Sequence, residues 1–139
     1  MTAQKLEIAM KYLWNMVGTV PYKLGGNVIQ DGGLDCSALM LEFLRAVGLW
    51  GKTDARAQDI YNKFKSFAFP WTSNEAKLGT YYLMFFGKSV NEITHISLTV
   101  NNFQMIEAGG TDKDGMVRVR PTSWRSDCVA FVPVELLLK

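Results

Sequence analysis

The sequence is short of the residues that build metal sites and disulfide frameworks. Its 139 residues include one histidine, His95, and two cysteines, Cys36 and Cys128, which lie 92 positions apart (128 minus 36). Two cysteines this distant do not form a disulfide framework, and no Cys/His spacing in the chain is typical of a zinc site. We therefore expect no metal and no other cofactor, and each cysteine has to be explained as a single thiol.

An excess of one charge and long apolar runs are also missing. The 15 basic and 13 acidic residues leave a net charge of +2, which does not indicate binding to nucleic acid. The longest apolar run, residues 81–86, is far too short to span a membrane. Residues 1–12 are charged and amphipathic, unlike a secretory signal. We expect a single domain over residues 1–139 that is cytoplasmic when synthesised.

The hydrophobic pattern changes its period halfway along the chain. Apolar residues at helical spacing predict three helices in the first half: residues 3–17, 38–47 (with Gly48 as the stop) and 54–67, the last broken by residues 69–71. The second half predicts five strands: residues 81–86, 94–100, 104–108, 116–120 and 128–132. Helices followed by antiparallel strands predict an α+β domain, with N-terminal helices packed on a C-terminal sheet of about five strands.

Cys36 lies where the second helix is predicted to begin, directly after Asp35, a candidate N-cap. The first turn of a helix offers unpaired N–H groups and the positive end of the helix dipole, which favour a thiolate. The same N–H groups suit an oxyanion that forms when a sulfur attacks a carbonyl. The glycine-rich stretch before it, residues 21–33, lacks the Gly-Lys-Ser/Thr ending of a phosphate-binding loop, so a nucleotide site is not favoured. The pattern indicates a cysteine nucleophile.

His95 and Glu107 are the candidate partners of this thiol. A cysteine nucleophile needs a base, for which histidine is the usual choice. The imidazole in turn needs a partner that fixes its tautomer, and Glu107 follows twelve residues later (107 minus 95).

The register of the hairpin decides whether the two side chains meet. A two-residue turn at 101–102 would place His95 and Glu107 on opposite faces of the sheet. A three-residue loop at 101–103 instead pairs Ser97 with Glu107, which then lies diagonal to His95 and within reach. Only this loop turns the two apolar neighbours of Glu107 toward the core, so we predict the three-residue loop.

Several segments, taken in order, resemble the NlpC-type cysteine peptidases of bacterial cell walls, which have a compact papain-like fold. The matching segments are Pro-Tyr-Lys-Leu-Gly-Gly at 21–26, Asp-Cys-Ser at 35–37, Phe-Phe-Gly at 85–87, Thr-His-Ile-Ser-Leu at 94–98 and Met-Ile-Glu-Ala at 105–108. The resemblance implies hydrolysis of a peptidoglycan stem peptide, commonly between D-glutamate and the following diamino acid.

The resemblance also implies a role for each matching residue. Cys36 would be the nucleophile, His95 the general base and then the acid, and Glu107 the residue that orients the ring. The implied substrate-binding residues are Tyr22, Asp35 and Ser37. The partner would be the stem peptide, and we expect the enzyme to be a monomer.

The chain departs from the family pattern at three positions. Ala38 stands where members usually have glycine, Thr80 where they commonly have aspartate, and Glu107 where histidine, asparagine or glutamine is more frequent. A carboxylate still orients the ring and favours imidazolium, so the departures concern bond specificity more than activity. The lack of a leader and of a wall-binding module favours a phage lysis or tail enzyme, with phage proteins as partners, or a toxin-like amidase.

Two further functions stay open: a related thiol amidase or acyltransferase that acts on another bond, and a catalytically silent phage-tail component with the same fold. Cys128 lies in an apolar strand and is predicted to be a core thiol. Packing on the first helix explains Tyr22 as well as a site role does. The remaining arginines of interest fit either contacts to an acidic peptide or ordinary strand surface: Arg118, Arg120 and Arg125.

Overall fold

The strands predicted from the sequence form one sheet with helices against one of its faces. The computed structural model describes residues 2–23, 35–71, 81–101, 103–109 and 115–138. Within them the helices are α1 (Thr2–Met16), α2 (Cys36–Ala46), α3 (Ala57–Phe64), extended by a 3-10 turn (Lys65–Phe67), and α4 (Val134–Leu137). The strands are β1 (Phe69–Pro70), β2 (Tyr82–Gly87), β3 (Ile93–Thr99), β4 (Gln104–Gly109), β5 (Met116–Pro121) and β6 (Cys128–Pro133).

The sheet is antiparallel throughout, with the strand order β1-β6-β2-β3-β4-β5. The α+β class and the five predicted strands are confirmed. The additional strand β1 was not predicted, because Pro70 was interpreted only as a helix breaker. Proline is tolerated at a sheet edge, where its missing N–H leaves no ladder bond unmade. There Phe69 pairs with Phe131, and their rings stack with centroids 5.5 Å apart.

Helix α2 forms as its sequence predicts. The Oδ1 atom of Asp35 accepts a hydrogen bond from the Ala38 N–H (2.8 Å), so Asp35 is the N-cap. The helix ends at Ala46 with Val47 as its C-cap, and Gly48 follows with a positive φ of 80° that a side chain would disfavour. The apolar side chains from Ala38 to Leu44 are buried, which fixes the helix, and therefore its first residue Cys36, against the sheet.

Helix α3 begins at Ala57 and not at Asp54, so the predicted start is wrong by three residues. The Arg45 guanidinium donates to the carbonyls of Gly51 (2.7 Å) and Thr53 (3.1 Å), which holds the preceding segment out of the helix. The cap is instead Arg56, whose N–H donates to Asp59 (2.9 Å). The spacing of apolar residues does not indicate such polar contacts, so the sequence pattern placed the start of α3 too early.

The β3–β4 hairpin has the predicted register. Leu98 pairs with Ile106 and Thr99 with Met105, and the Val100 N–H donates to the Gln104 carbonyl (2.9 Å). This register leaves residues 101–103 between the paired positions. Continued along the strands, it sets Ser97 opposite Glu107 and brings Glu107 diagonal to His95.

The two faces of the sheet carry different side chains. The larger apolar cluster lies between the helices and the sheet and includes Ile96, Leu98, Ile106 and Ala108. The smaller cluster consists of the alternate residues of the strands: Tyr82, Met84, Phe86, Met105 and Phe131. His95 lies opposite Phe86 on this second face, with ring centroids 5.4 Å apart. The predicted separation of His95 from the helix-facing core is therefore confirmed.

The segment after α1 covers the outer edge of β5. The Gly18 N–H donates to the Val117 carbonyl and the Val117 N–H to the Val20 carbonyl, both at 2.8 Å. The Tyr22 N–H donates to the Gly115 carbonyl (2.9 Å). A covered edge is not available to pair with another chain, and this pairing brings Tyr22 to the end of the sheet where His95 and Glu107 lie.

The packing predicts a large stability difference between two phenylalanines. Phe85 is fully buried and meets the Tyr61 ring edge-on (centroids 5.3 Å apart), whereas Phe103 is 77% exposed. Phe85→Ala should lower the free energy of unfolding by about 3–5 kcal/mol, since it removes buried area and leaves a cavity. Phe103→Ala is the matched control and should change it by less than about 0.5 kcal/mol. Denaturant titrations measure both, and equal effects would contradict this description of the core.

Candidate active site

Cys36 is the first residue of α2, and its side chain meets the His95 ring. Cys36 and His95 line the same cleft, and Cys36 is close enough to be one of the groups that raise the pKa of His95. It is neither fully buried nor fully exposed, so it is open to a cleft. A thiol at a helix N-terminus beside an imidazole has both features that stabilise a thiolate.

His95 lies between Cys36 and a carboxylate. Its Nε2 atom is 2.8 Å from Oε1 of Glu107, and only 8% of the residue is exposed. Since Nε2 is occupied by the carboxylate, Nδ1 is the nitrogen left to exchange a proton with the thiol. The predicted contact of His95 with Glu107 is present, on the sheet face and in the register derived from the sequence.

The surroundings of His95 favour its imidazolium form. Burial acts to lower the pKa of His95, but the hydrogen bonds and charges of Cys36 and Glu107 outweigh it. Together they raise the pKa from 6.5 to about 9. At neutral pH the ring therefore holds a proton that it is able to donate.

Glu107 is buried between two cationic groups. Only 2% of it is exposed, and its second oxygen, Oε2, accepts a hydrogen bond from Arg118 Nε (3.0 Å) and lies 2.9 Å from Arg118 Nη2. Burial acts to raise the pKa of Glu107, whereas the hydrogen bonds and charges of His95 and Arg118 lower it, with a net decrease. The Glu107 carboxylate is therefore ionised in the folded protein at neutral pH.

Two adjoining clefts open on either side of Cys36. One, of about 400 Å³, is lined by Tyr22, Cys36, Thr94, His95, Glu107, Ala108, Gly109, Arg118, Trp124 and Arg125. The other, of about 540 Å³, is lined by Tyr22, Asp35, Cys36, Ser37, Arg56, Ala57, Ile93 and Thr94. Tyr22, Cys36 and Thr94 line both, so the thiol stands where an extended ligand would pass from one cleft to the other.

Charged and aromatic side chains from the β5–β6 connection form the rim of the first cleft. Arg125 makes a two-bond ion pair with Asp127 (2.9 and 2.7 Å) and lies over the Phe86 ring. The hydrogen bond from Arg125 lowers the pKa of Asp127. The half-exposed Trp124 ring lies beneath the guanidinium carbons of Arg118 (5.9 Å) and Arg120 (4.5 Å).

The comparisons with known proteins agree with this architecture. The model of the NlpC/P60 family matches residues 18–133. The chain belongs to the NlpC/P60 family. No curated protein sequence matches it.

Solved structures of NlpC/P60 domains share the fold. The peptidoglycan hydrolase RipB of Mycobacterium tuberculosis is 26% identical over 93% of this chain, with a TM-score of 0.66, and the match covers 64% of that structure. The P60 domain of an antigen from Mycobacterium avium subspecies paratuberculosis is 27% identical over 95% of both chains, with a TM-score of 0.65. RipA, a protein that interacts with a resuscitation promoting factor, is 26% identical over 95% of this chain and 63% of that structure, with a TM-score of 0.65. The chain thus spans somewhat less than two thirds of the RipA and RipB structures.

The three residues implied by the family resemblance as substrate contacts lie together in the second cleft. Besides capping α2, the Oδ1 atom of Asp35 accepts from the Ser37 hydroxyl (3.0 Å). Tyr22 reaches the site through the pairing of its segment with β5, and it also packs against the core. Asp35 therefore has a structural role that holds whether or not it binds a ligand.

Arg118 is the site residue that sequence reasoning missed. It was interpreted as either an ordinary surface arginine or a peptide contact, whereas in the structure it is bound to Glu107. The two residues are directly opposite each other on β4 and β5. The available signal was a register that aligns opposite charges, but the sequence alone does not indicate that register.

Cys128 differs from Cys36 in its surroundings. It lies in β6 opposite Phe86, and its Sγ is 3.6 Å from the Ala130 carbonyl. Burial raises the pKa of Cys128 from 9.0 to about 12. The predicted core position is confirmed only in part, because the side chain is partly and not fully buried.

In the described ranges no cluster of three His, Cys, Asp or Glu side chains is arranged to hold a metal. None of the described helices is long and apolar enough to span a membrane.

The surroundings of the single histidine make its titration directly measurable. We expect the His95 ring protons to titrate with a pKa of about 9 in NMR spectra. Glu107→Gln and Cys36→Ala should each lower it by roughly one unit or more, since each removes a group that favours imidazolium. A wild-type pKa near 6.5 that neither variant moves would contradict the described site.

The two thiols should differ sharply in reactivity. At about pH 6 the native protein should take up one equivalent of iodoacetamide, at Cys36, because thiolates and not thiols are alkylated. Cys128 should react only after unfolding, since its pKa is about 12. Peptide mapping by mass spectrometry assigns the label. The Cys128→Ala variant serves as the control and should keep the fast uptake; label on Cys128 in the native protein would refute the assignment.

Proposed function

We propose that this chain is a peptidoglycan hydrolase, a thiol endopeptidase that cleaves an amide bond of the stem peptide. Cys36 acts as the nucleophile, His95 as the base and acid, and Glu107 as the residue that orients the imidazole. The observation that carries the proposal is the position of His95, which shares a cleft with Cys36 at the start of α2 and lies 2.8 Å from Glu107. Nucleophile, base and orienting group in this order are the arrangement that activates a cysteine.

The first half-reaction makes an acyl-enzyme. The Cys36 thiolate attacks the amide carbon, a C–S bond forms, and the carbonyl oxygen becomes an oxyanion. First-turn N–H groups of α2 are the donors we assign to this oxyanion; the Ala38 N–H already bonds Asp35, so those of Cys36 and Ser37 are the ones concerned. As the C–N bond breaks, His95 donates its Nδ1 proton to the leaving amine.

The second half-reaction releases the acid product. The now neutral His95 accepts a proton from a water molecule, and the hydroxide attacks the thioester carbon. The C–S bond then breaks, and the thiolate and imidazolium are restored. In both steps Glu107 keeps Nε2–H in place and stabilises the charge on the ring.

The second cleft supports a role in substrate binding for Tyr22, Asp35 and Ser37. Both described hydrogen bonds of Asp35 use Oδ1, so Oδ2 is the oxygen we assign to an amine or amide of the substrate. The cleft on the other side of Cys36 carries Arg118 and Arg125. Stem peptides contain both amino and carboxyl groups, and each cleft is lined by acidic and basic side chains, which suits this class of substrate. The D-glutamyl–diamino acid bond is the bond we propose.

The relatives support the proposal in two ways. RipB and SagA are described as peptidoglycan hydrolases. The RipA structures are of proteins mutated at a cysteine, a histidine and a glutamate, the last two twelve residues apart, as His95 and Glu107 are here. The mutated histidine and glutamate of RipA therefore have the same spacing in sequence as His95 and Glu107.

Purified muropeptides with product analysis by mass spectrometry test the function. Cys36→Ala and His95→Ala should each reduce turnover by roughly 10⁴-fold or more, since nucleophile and base act as one unit. Glu107→Gln should keep partial activity, about 10-fold to 100-fold below the wild type, because the amide oxygen still accepts from Nε2–H but supplies no charge to stabilise the thiolate–imidazolium pair. On the alkaline side of the pH profile, kcat/KM of Glu107→Gln should begin to decline at a lower pH than that of the wild type, since the carboxylate raises the His95 pKa.

Cys128→Ala is the control in the same assay and should retain wild-type turnover. The masses of the products identify the bond, so cleavage between sugar and peptide would replace the endopeptidase assignment with an amidase. Full activity of Cys36→Ala would refute the mechanism.

A further inference from the structure

Glu107 uses its two oxygens for two different cations. Oε1 lies 2.8 Å from His95 Nε2, whereas Oε2 accepts a hydrogen bond from Arg118 Nε (3.0 Å) and lies 2.9 Å from Arg118 Nη2 in the same ion pair. The side chain of Arg118 is 19% exposed, so water screens this pair little. Such an arrangement gives the carboxylate one fixed cation and one that changes its charge during catalysis.

The backbone is shaped to hold this ion pair. Glu107 and Arg118 face each other directly across β4 and β5, and the covering segment from Gly18 to Tyr22 secures β5 from its outer side. Gly109 makes room, because a Cβ there would come within 3.0 Å of Glu107 Oε2 and 3.3 Å of Arg118 Nη2. The contact is therefore a built feature of the sheet and not a chance meeting of two long side chains.

We propose that Arg118 is a positioning residue of the thiol site, which holds Glu107 ionised and in place while His95 gives up its proton. This inference rests on the proposed function in so far as it concerns turnover. While His95 is imidazolium, Glu107 has two cationic partners; once the proton has moved to the leaving amine, only Arg118 remains. A buried carboxylate without a cation is costly, so without Arg118 the histidine would hold its proton more tightly.

The other charges around the pair do not replace Arg118. From α2, Cys36 approaches His95; from the β5–β6 connection come Arg125 and Asp127. Arg125 and Asp127 are bound to each other by two hydrogen bonds, so their charges largely cancel at a distance. Among the described residues, only Arg118 and His95 make hydrogen bonds to the Glu107 carboxylate.

The proposal predicts that Arg118→Met slows turnover but does not slow the alkylation of Cys36. The His95 pKa should rise by roughly one unit, since an unshared carboxylate attracts the proton more strongly. Turnover should fall by roughly 10-fold, because one unit corresponds to that factor in proton donation. Alkylation of Cys36 at about pH 6 should be as fast as in the wild type or faster, since the imidazolium that pairs with the thiolate is retained. A purely structural role would slow both.

The titration is best made in the Cys36→Ala background, where the measured pKa belongs to the only histidine and not to a coupled thiol–imidazole pair. Arg120→Met is the matched control. It removes a guanidinium from the same strand and the same face, two residues further on, where the group lies over Trp124. We expect it to leave the His95 pKa unchanged. Arg118→Lys keeps the positive charge and should hold the His95 pKa near that of the Cys36→Ala reference.

A Glu107→Gln background completes the test, since it removes the charge that Arg118 balances. There Arg118→Met should raise the His95 pKa much less than it does beside Glu107. This pair of variants also serves if the single Arg118→Met variant does not fold, because a neutral glutamine needs no cation. A His95 pKa that Arg118→Met leaves unchanged, or raises equally beside Glu107 and Gln, would overturn the proposal. The titration decides this independently of turnover, so a wild type inactive on muropeptides would refute the proposed function alone.

Discussion

The register of β3 against β4 is the constraint on which the site depends. Leu98 pairs with Ile106 and Thr99 with Met105, and this pairing brings Glu107 within 2.8 Å of His95. A slip of one residue would turn every side chain of one strand to the other face. It would separate the histidine from its carboxylate and expose Ile106 at the same time. Burial of the apolar side chains therefore selects the register that also brings His95 and Glu107 together, so the polar pair does not have to stabilise this register by itself.

Much of this was predictable because the signals are local. The N-cap Asp35, the apolar stripe of α2 and the positive φ of Gly48 lie within fifteen residues, so the position of Cys36 at a helix N-terminus follows from short-range chemistry. The β3–β4 hairpin is also local, since its loop is three residues long and the hydrophobic alternation on both sides selects one register. Three of the five segments that carry the family resemblance, 35–37, 94–98 and 105–108, lie in these two elements.

The features that were missed depend on contacts between distant residues. The start of α3 depends on Arg45, whose guanidinium binds the carbonyls of Gly51 and Thr53. The edge strand β1 forms because Phe69 and Pro70 pair with residues of β6 that lie about sixty positions later in the sequence. The partnership of Arg118 with Glu107 depends on the register of a second hairpin. The alternation of valine and arginine in β5 indicates which face the arginines occupy, but not which residue of β4 lies opposite each of them. Periodicity reports which face of an element is buried, but not which polar groups meet across elements.

The burial of Glu107 joins the stability of the sheet to the chemistry of the cleft. A carboxylate with 2% exposure is tolerated because β3 supplies one cationic partner and β5 another, so the three strands are held together by the same charges that set the state of His95. A neutral residue at position 107 would orient the imidazole without requiring a second partner. The glutamate gives a stronger hold on the imidazolium, and with it a stronger resistance to proton release. An arginine on the far oxygen offsets that resistance, because it leaves the carboxylate paired at each stage of the reaction. Glu107 and Arg118 therefore act as one unit: the arginine balances the charge of the glutamate, and a neutral residue at position 107 would remove the need for a cation at position 118.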